Sequence, residues 1–295
     1  SSRSSSTQTP PEHSDGEHGR QRTPPPPDAK RRRRRSVMVR LGQNLLADPN
    51  LLAAIVRDAE LTGDEVVLEI GGGEGALTAE LAPRVAAVHV VEIDERFRDS
   101  LEALAREHPG VRLAFGDAMR LDLAGLDPKP TAVVANLPYS IATPILLRTV
   151  AELPSIGRWT VMVQREIADR LRAEPGTRAY GAPSVLVQIA CEVRLLRPVA
   201  RTVFTPPPRV DSALVRLERT GPAAAEPVAR LVREAFAHRR KSLARSLEHA
   251  RPGSREAVRG ALADAGLPAD ARAEQLTPRQ FVDLAAALAG EGASR

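Results

Sequence analysis

The sequence predicts an α/β fold: a largely parallel sheet with helices on both faces, followed by a small all-helical lobe. Three observations predict it. Short apolar runs at 66–70, 87–91, 111–115 and 131–135 read as buried parallel strands, and helical stretches alternate with them as far as Gln164. Glycines, carboxylates and a tyrosine cluster just after these runs, at the carboxyl ends of strands, where ligands of open α/β sheets bind. Beyond Gly221 the strand pattern stops, and 227–237, 241–249, 256–265 and 278–289 read as helices.

Taken in order, residues 1–36 are rich in Ser, Pro, Gly and charge, with no apolar periodicity, and predict a disordered basic tail. Asp48-Pro49 is an N-cap followed by a first-turn proline, so a helix starts there. Val66 to Ile70 runs into Gly71-Gly72-Gly73-Glu74-Gly75 and then a helix from Ala76 to Ala82; such a loop turns sharply and lets backbone N–H groups face a ligand. The run 87–91 ends on Glu92, and Asp94 caps the next helix. The run 111–115 is followed by Gly116-Asp117-Ala118, and 131–135 by Asn136-Leu137-Pro138-Tyr139. Val210 to Leu217 reads as a late strand completing the sheet. This divides the chain into a tail (1–36), a catalytic domain (37–220) and a helical lobe (221–295).

Each strand end suggests a chemistry. The Asn136 amide oxygen and the carbonyl preceding Pro138 can both accept hydrogens from one amino group, and the Tyr139 ring can stack on a flat heterocycle. That describes a pocket for the exocyclic amine of a base; the alternative is an ordinary strand-to-helix turn, for which Asn and Pro are common residues. Glu92 is placed to grip ribose hydroxyls, and Asp117 to accept from an adenine amino group. Gly71, Gly73 and Ala76 also satisfy a relaxed dinucleotide fingerprint. A nicotinamide dehydrogenase has no use for an amine pocket, however, and the order of glycine loop, ribose acid, adenine acid and amine pocket matches S-adenosylmethionine methyltransferases.

Further segments carry a closer resemblance. Leu41-Gly42-Gln43-Asn44-Leu45-Leu46, Asn136 to Ile145, Met162-Val163-Gln164-Arg165-Glu166, Ala179-Tyr180-Gly181, Val203 to Ala213 and Arg239-Arg240-Lys241-Ser242-Leu243 are similar to signatures of the ribosomal RNA adenine dimethyltransferase family, most of all its small-subunit (16S) branch. The similarity spans roughly 38–288. It implies a Rossmann-like class I methyltransferase sheet using S-adenosylmethionine. By the same resemblance, Asn44, Leu46, Gly71, Glu92, Asp117 and Asn136 line the cofactor, with Gln43, Gly73, Ile93 and Ala118 beside them. Asn136, Leu137, Pro138 and Tyr139 form the catalytic motif that holds the adenine. Gly72 stands where the family usually has proline, Leu45 replaces a usual phenylalanine, and Glu74 is more typical of large-subunit resistance methylases.

The activity so implied is transfer of methyl groups to N6 of two adjacent adenosines in ribosomal RNA within a small-subunit precursor particle. A flipped or unpaired adenine would enter the pocket, with Phe204 offering a second stacking face beside Tyr139. The competing readings are a large-subunit (23S) methylase conferring macrolide resistance, a nicotinamide oxidoreductase and a non-catalytic RNA-binding factor.

Charge supports a polyanion partner. The net of +5 divides unevenly: residues 1–40 carry 10 basic and 4 acidic residues, and 191–260 carry 15 and 7. Both segments would attract nucleic acid by counterion release, and Arg239, Arg240, Lys241 and Arg245 are assigned to phosphates. One cysteine, Cys191, rules out an intramolecular disulfide and reads as a core thiol. No metal constellation, membrane span or signal peptide is visible. Four acids in the tail argue against an organelle transit peptide, so the expectation is a cytoplasmic monomer.

Overall fold

The structure is a computed structural model, and it describes residues 45–46, 48–205 and 207–293. The tail assigned to 1–36, together with Gln43 and Asn44, lies outside the described residues.

A seven-stranded sheet forms the centre, in the order β4 (Val111–Phe115), β3 (Ala87–Glu92), β2 (Val66–Ile70), β5 (Ala132–Asn136), β6 (Arg158–Gln164), β9 (Ser212–Arg219) and β7 (Cys191–Val199). The first five strands are parallel; β9 is antiparallel to both its neighbours. β2 and β3 are buried along their whole length, as expected of apolar runs sandwiched between helix layers. The winding direction reverses between β2 and β5, which opens a crevice at the carboxyl ends of those two strands.

Two helix layers cover the sheet. On one face α1 (Pro49–Ala59), α2 (Ala76–Leu81) and α3 (Arg98–Glu107) contribute Ile55, Leu77, Leu81 and Leu101 to a core with Val67, Val90 and Val134. On the other, α4 (Ala142–Glu152), α5 (Arg165–Leu171) and α6 (Ala182–Ala190) pack Ile145, Leu146, Ala168 and Val187 against Leu68, Val133 and Trp159. Asp48 caps α1 by accepting the Asn50 and Leu51 amides, as Asp-Pro predicts. Cys191 is buried in the second of these cores, where burial pushes its thiol up to about 11.

The last four helices, α7 (Glu226–Ala237), α8 (Leu243–Ala250), α9 (Arg255–Asp264) and α10 (Pro278–Ala293), close around a third core. That core also takes in Ala173, Tyr180 and Val185, which precede residue 220 in the chain. α6 therefore serves two cores, Val187 and Ala190 packing under the sheet and Val185 facing the helical lobe. The Tyr180 hydroxyl donates to the Leu276 carbonyl at 2.9 Å and fastens the two parts.

Two features depart from the sequence reading. The late strand at 212–219 does not end the sheet, because β7 pairs outside it and forms the edge. Pro198 is tolerated there because an edge strand leaves one side of its backbone without a ladder. A separate two-stranded ladder joins β1 (Leu45–Leu46) to β8 (Phe204–Thr205), in the register Leu45 to Thr205 and Leu46 to Phe204.

Candidate active site

The crevice at the switch point is a cavity of about 490 Å³. Eleven of the residues expected at the cofactor and amine sites line it: Leu46, Gly71, Gly73, Glu92, Ile93, Asp117, Ala118, Asn136, Leu137, Pro138 and Tyr139. All but Leu46, which belongs to β1, come from the ends of β2, β3, β4 and β5, adjacent strands in the sheet, so residues far apart in the chain meet along one groove.

The glycine loop shapes its floor. Gly71, Gly73 and Gly75 have φ of +84°, +55° and +91°, in the left-handed region that favours glycine. A Cβ on Gly71 would come 3.3 Å from Pro138, so the loop and the amine motif are in near contact. Gly72 has a different reason to be glycine: a Cβ there would lie 2.4 Å from the Val90 side chain. The residue that departs from the family pattern thus fills a space closed by β3.

Glu92 is buried, and its two oxygens accept the amides of Gly73 and Asp94, each at 2.8 Å. These donors favour the carboxylate, while burial, the larger effect, raises its pKa. Each oxygen keeps a lone pair for a hydroxyl. Asp117 accepts the Met119 amide at 2.8 Å and pairs with the exposed Arg120 at 3.6 Å. Ile93, between these acids in the groove, is one of two large apolar side chains exposed among the described residues, at 51%. An apolar side chain open to solvent beside two acceptors suits the face of a flat ring.

At the other end, the Leu137 amide donates to the Met162 carbonyl at 3.1 Å, which fixes the orientation of the motif. The Pro138 carbonyl accepts the Ile141 amide at 3.0 Å, so it is already engaged within the turn. Tyr139 is half-buried; its hydroxyl hydrogen-bonds the Ser212 hydroxyl, and burial raises its pKa. Ser212, wholly buried at the start of β9, is a tether the sequence did not reveal.

One expected RNA contact needs correction, and a second is partly engaged elsewhere. Phe204 is only 1% exposed and packs in the core with Leu46 and Val199, because β8 pairing draws it under the sheet; here its ring has no free face for a base. Arg239 is engaged within the protein, donating to Glu274 at 2.9 Å and to the Arg178 carbonyl at 2.7 Å. Arg240, Lys241 and Arg245 instead line a second cavity of about 450 Å³. Arg255, Arg259 and Arg272 join them, with Asp270 as a lining carboxylate. The i, i+4 spacing of Arg255 and Arg259 on α9 was the available signal, but only helix packing brings Arg272 alongside. Among the described residues, no group of His, Cys, Asp and Glu could hold a metal ion, and no helix is long and apolar enough to cross a membrane.

Comparison with known proteins fits this geometry. The ribosomal RNA adenine dimethylase family model matches residues 34–289. The chain belongs to that family. It is 45% identical over 248 residues to the Ribosomal RNA small subunit methyltransferase A of Rubrobacter xylanophilus, covering 83% of this chain and 92% of that protein. Its counterpart of the same name in Thermobifida fusca is 42% identical over 254 residues, covering 83% and 88%. Among solved structures, a 23S rRNA methyltransferase, ErmE, is 31% identical with a TM-score of 0.62, covering 83% of this chain and all of that one. A dimethyladenosine transferase from Plasmodium falciparum superposes with a TM-score of 0.68 at 24% identity, covering 84% and 98%, and shares the fold. The fold is that of class I methyltransferases, and the chain is an enzyme of the rRNA adenine dimethylase family.

Proposed function

We propose that this protein transfers methyl groups from S-adenosylmethionine to N6 of two adjacent adenosines of small-subunit ribosomal RNA, acting on a precursor particle as a cytoplasmic monomer. The observation that carries it is one continuous groove in which Asp117, Glu92, the glycine loop and Asn136-Leu137-Pro138-Tyr139 succeed one another. The residues fit the cofactor: Asp117 and Ile93 would hold the adenine, Glu92 the ribose hydroxyls, and the loop of Gly71 and Gly73 the methionine portion, with Leu46 and Ala118 closing the walls. Gln43 and Asn44 belong to the same binding set by family resemblance. The bound cofactor supplies a methyl group already activated on a sulfonium.

The chain's own residues then position the acceptor. Asn136 and the Leu137 carbonyl take the two amine hydrogens, which turns the nitrogen lone pair out of conjugation and toward the groove. Tyr139, held by Ser212, supports the base. With each transfer the nitrogen gains a methyl and sheds one proton to solvent, so after the first transfer one hydrogen remains, and the same acceptors orient the nitrogen again. The helical lobe, 221–295, would hold the RNA, with Arg240, Lys241, Arg245, Arg255, Arg259 and Arg272 receiving phosphates. The only large apolar side chains exposed among the described residues are Ile93 and Val210, which favours a monomer.

The test is mass mapping of ribosomal RNA after incubating the protein and S-adenosylmethionine with small-subunit particles from a host lacking this modification. Dimethylated adjacent adenosines near the end of that RNA are expected. Glu74 and the likeness to ErmE favour a large-subunit reading, though its 31% identity is below the 42–45% of the small-subunit relatives. Efficient methylation of naked large-subunit RNA, with none on the particle, would move the assignment there.

A further inference from the structure

Glu69 takes no part in positioning the amine, yet it is a carboxyl in the wall of the cofactor groove. It lies on β2, two residues before Gly71, and is 1% exposed. The strand alternation turns it toward α2, among Leu77, Leu81, Val90 and Val134. The Thr78 hydroxyl of α2 donates to it at 2.7 Å. The other titratable groups nearby do not neutralise it. β3 brings Glu92, a second acid; the loop brings Glu74, which is exposed; on α2 Glu80 pairs with Arg84, and on α1 Asp58 pairs with Arg197. β5 ends on Asn136, which carries no charge.

The two buried acids of the groove are provided for differently. Glu92 has two backbone N–H donors, a carboxylate's surroundings, whereas Glu69 has one hydroxyl and an apolar wall. Burial first, and then the Glu92 charge, push Glu69 up to about 8 despite the Thr78 bond. A carboxyl so placed is at its least costly when protonated or when a cation is beside it.

The sheet order says which cation. Along β4, β3, β2 and β5 the groove passes from Asp117 to Glu92 to the loop of Gly71 and Gly73 to Asn136. The β2 position lies between the ribose acid and the amine pocket, where the methionine portion of the cofactor has to run, with its ammonium and sulfonium.

We propose that Glu69 is a proton-exchanging residue of the cofactor site: it holds a proton until the positively charged methionine portion of S-adenosylmethionine enters, and then releases it to solvent. The O–H bond of the carboxyl breaks, the proton passes to buffer, and the carboxylate left behind balances the arriving charge. Below about pH 8 cofactor binding and proton release are one event, so affinity rises with pH and levels off above it. This rests on the methyltransferase reading.

The experiment is titration calorimetry of the full chain with S-adenosylmethionine at pH 7 in two buffers of different ionisation enthalpy, which counts protons released. The wild type is expected to release about one proton more than Glu69→Gln, a neutral isostere that keeps the Thr78 contact. The cofactor's own amino group titrates in both, so the difference reports Glu69 together with its coupling to Glu92. Thr78→Val, which removes a bond favouring the charged form, should move the levelling-off of affinity to higher pH, and it provides an independent variant. Equal proton counts for wild type and Glu69→Gln, with intact cofactor binding and methyl transfer, overturn this inference and leave the function standing. No binding of S-adenosylmethionine by any of the proteins overturns both.

Discussion

The groove at the ends of β2 to β5 and the basic cleft of the helical lobe are cavities of similar size, about 490 and about 450 Å³, held in opposite ways. In the groove the polar groups are held by fixed partners: Glu92 by two amides, Asp117 by the Met119 amide, Leu137 by Met162, Tyr139 by Ser212 and Glu69 by Thr78. In the cleft Arg240, Lys241, Arg245, Arg255, Arg259 and Arg272 are all exposed on long, rotatable stems. Fixed acceptors select one small molecule by shape and hydrogen-bond direction. Mobile cations recognise charge density, and salt screens them. The two cavities should therefore fail differently, and substitutions confined to one of them should leave the work of the other intact.

The largest effect is expected at Asn136. Replacing it with alanine removes one of two acceptors for the amine, and the methyl transfer rate should fall by about 10²- to 10³-fold. Cofactor affinity, measured by titration, should stay within a few-fold; equal loss of both would make Asn136 a structural residue. Next comes Glu92→Ala, which should weaken S-adenosylmethionine binding by about 1 to 3 kcal/mol. RNA affinity at fixed salt should not change with it, and a matching drop in RNA binding would erase the distinction between the cavities.

The cleft is tested by the charge-reversed Arg240→Glu/Lys241→Glu protein. Its slope of log particle affinity against log salt should be shallower by about 2, roughly one per lost phosphate contact, with cofactor affinity unaltered. An unchanged slope would show that these side chains do not meet phosphate. The smallest effect is on the fold. Glu69 holds its proton up to about pH 8, whereas an unfolded glutamate loses it near 4.5. Its contribution to stability is therefore full below about pH 4.5 and declines until about pH 8. Thermal unfolding of Glu69→Gln should fall less over that window than wild type; Glu92, also raised, keeps some slope in both.

The groove was the more legible of the two in the sequence, for a physical reason. β2 is buried along its whole length and apolar but for Glu69, and β4, an edge strand buried only at Val111, still ends where its apolar residues give way to Gly116-Asp117; the groove is built from the residues immediately after such ends. The cleft depends on how helices pack: Arg272 is over twenty residues from Arg245, and nothing local joins them. β7 went unread because Glu192, Arg194 and Arg197 interrupt it, as suits an edge strand with exposed positions. The two-residue ladder of β1 with β8 is too short to have a period, and Phe204 was misjudged with it. Ser212 shows no motif of its own; only the β6 to β9 register brings it to Tyr139.

Helix α6, shared between two cores, has a consequence for how a target is chosen. Val187 and Ala190 anchor it beneath the sheet, Val185 belongs to the lobe, and Gln188 donates to the Leu171 and Ala173 carbonyls, both at 2.9 Å. The lobe cannot rock on the sheet without opening one of those cores, so the span from the phosphate cleft to Asn136 is a fixed length. A protein built this way is a caliper. With the RNA contacts proposed above, an adenosine's place in a folded RNA would be read by its distance from the backbone at the basic cleft, and an inserted base pair between cleft and target would carry the wrong nucleotide to the pocket.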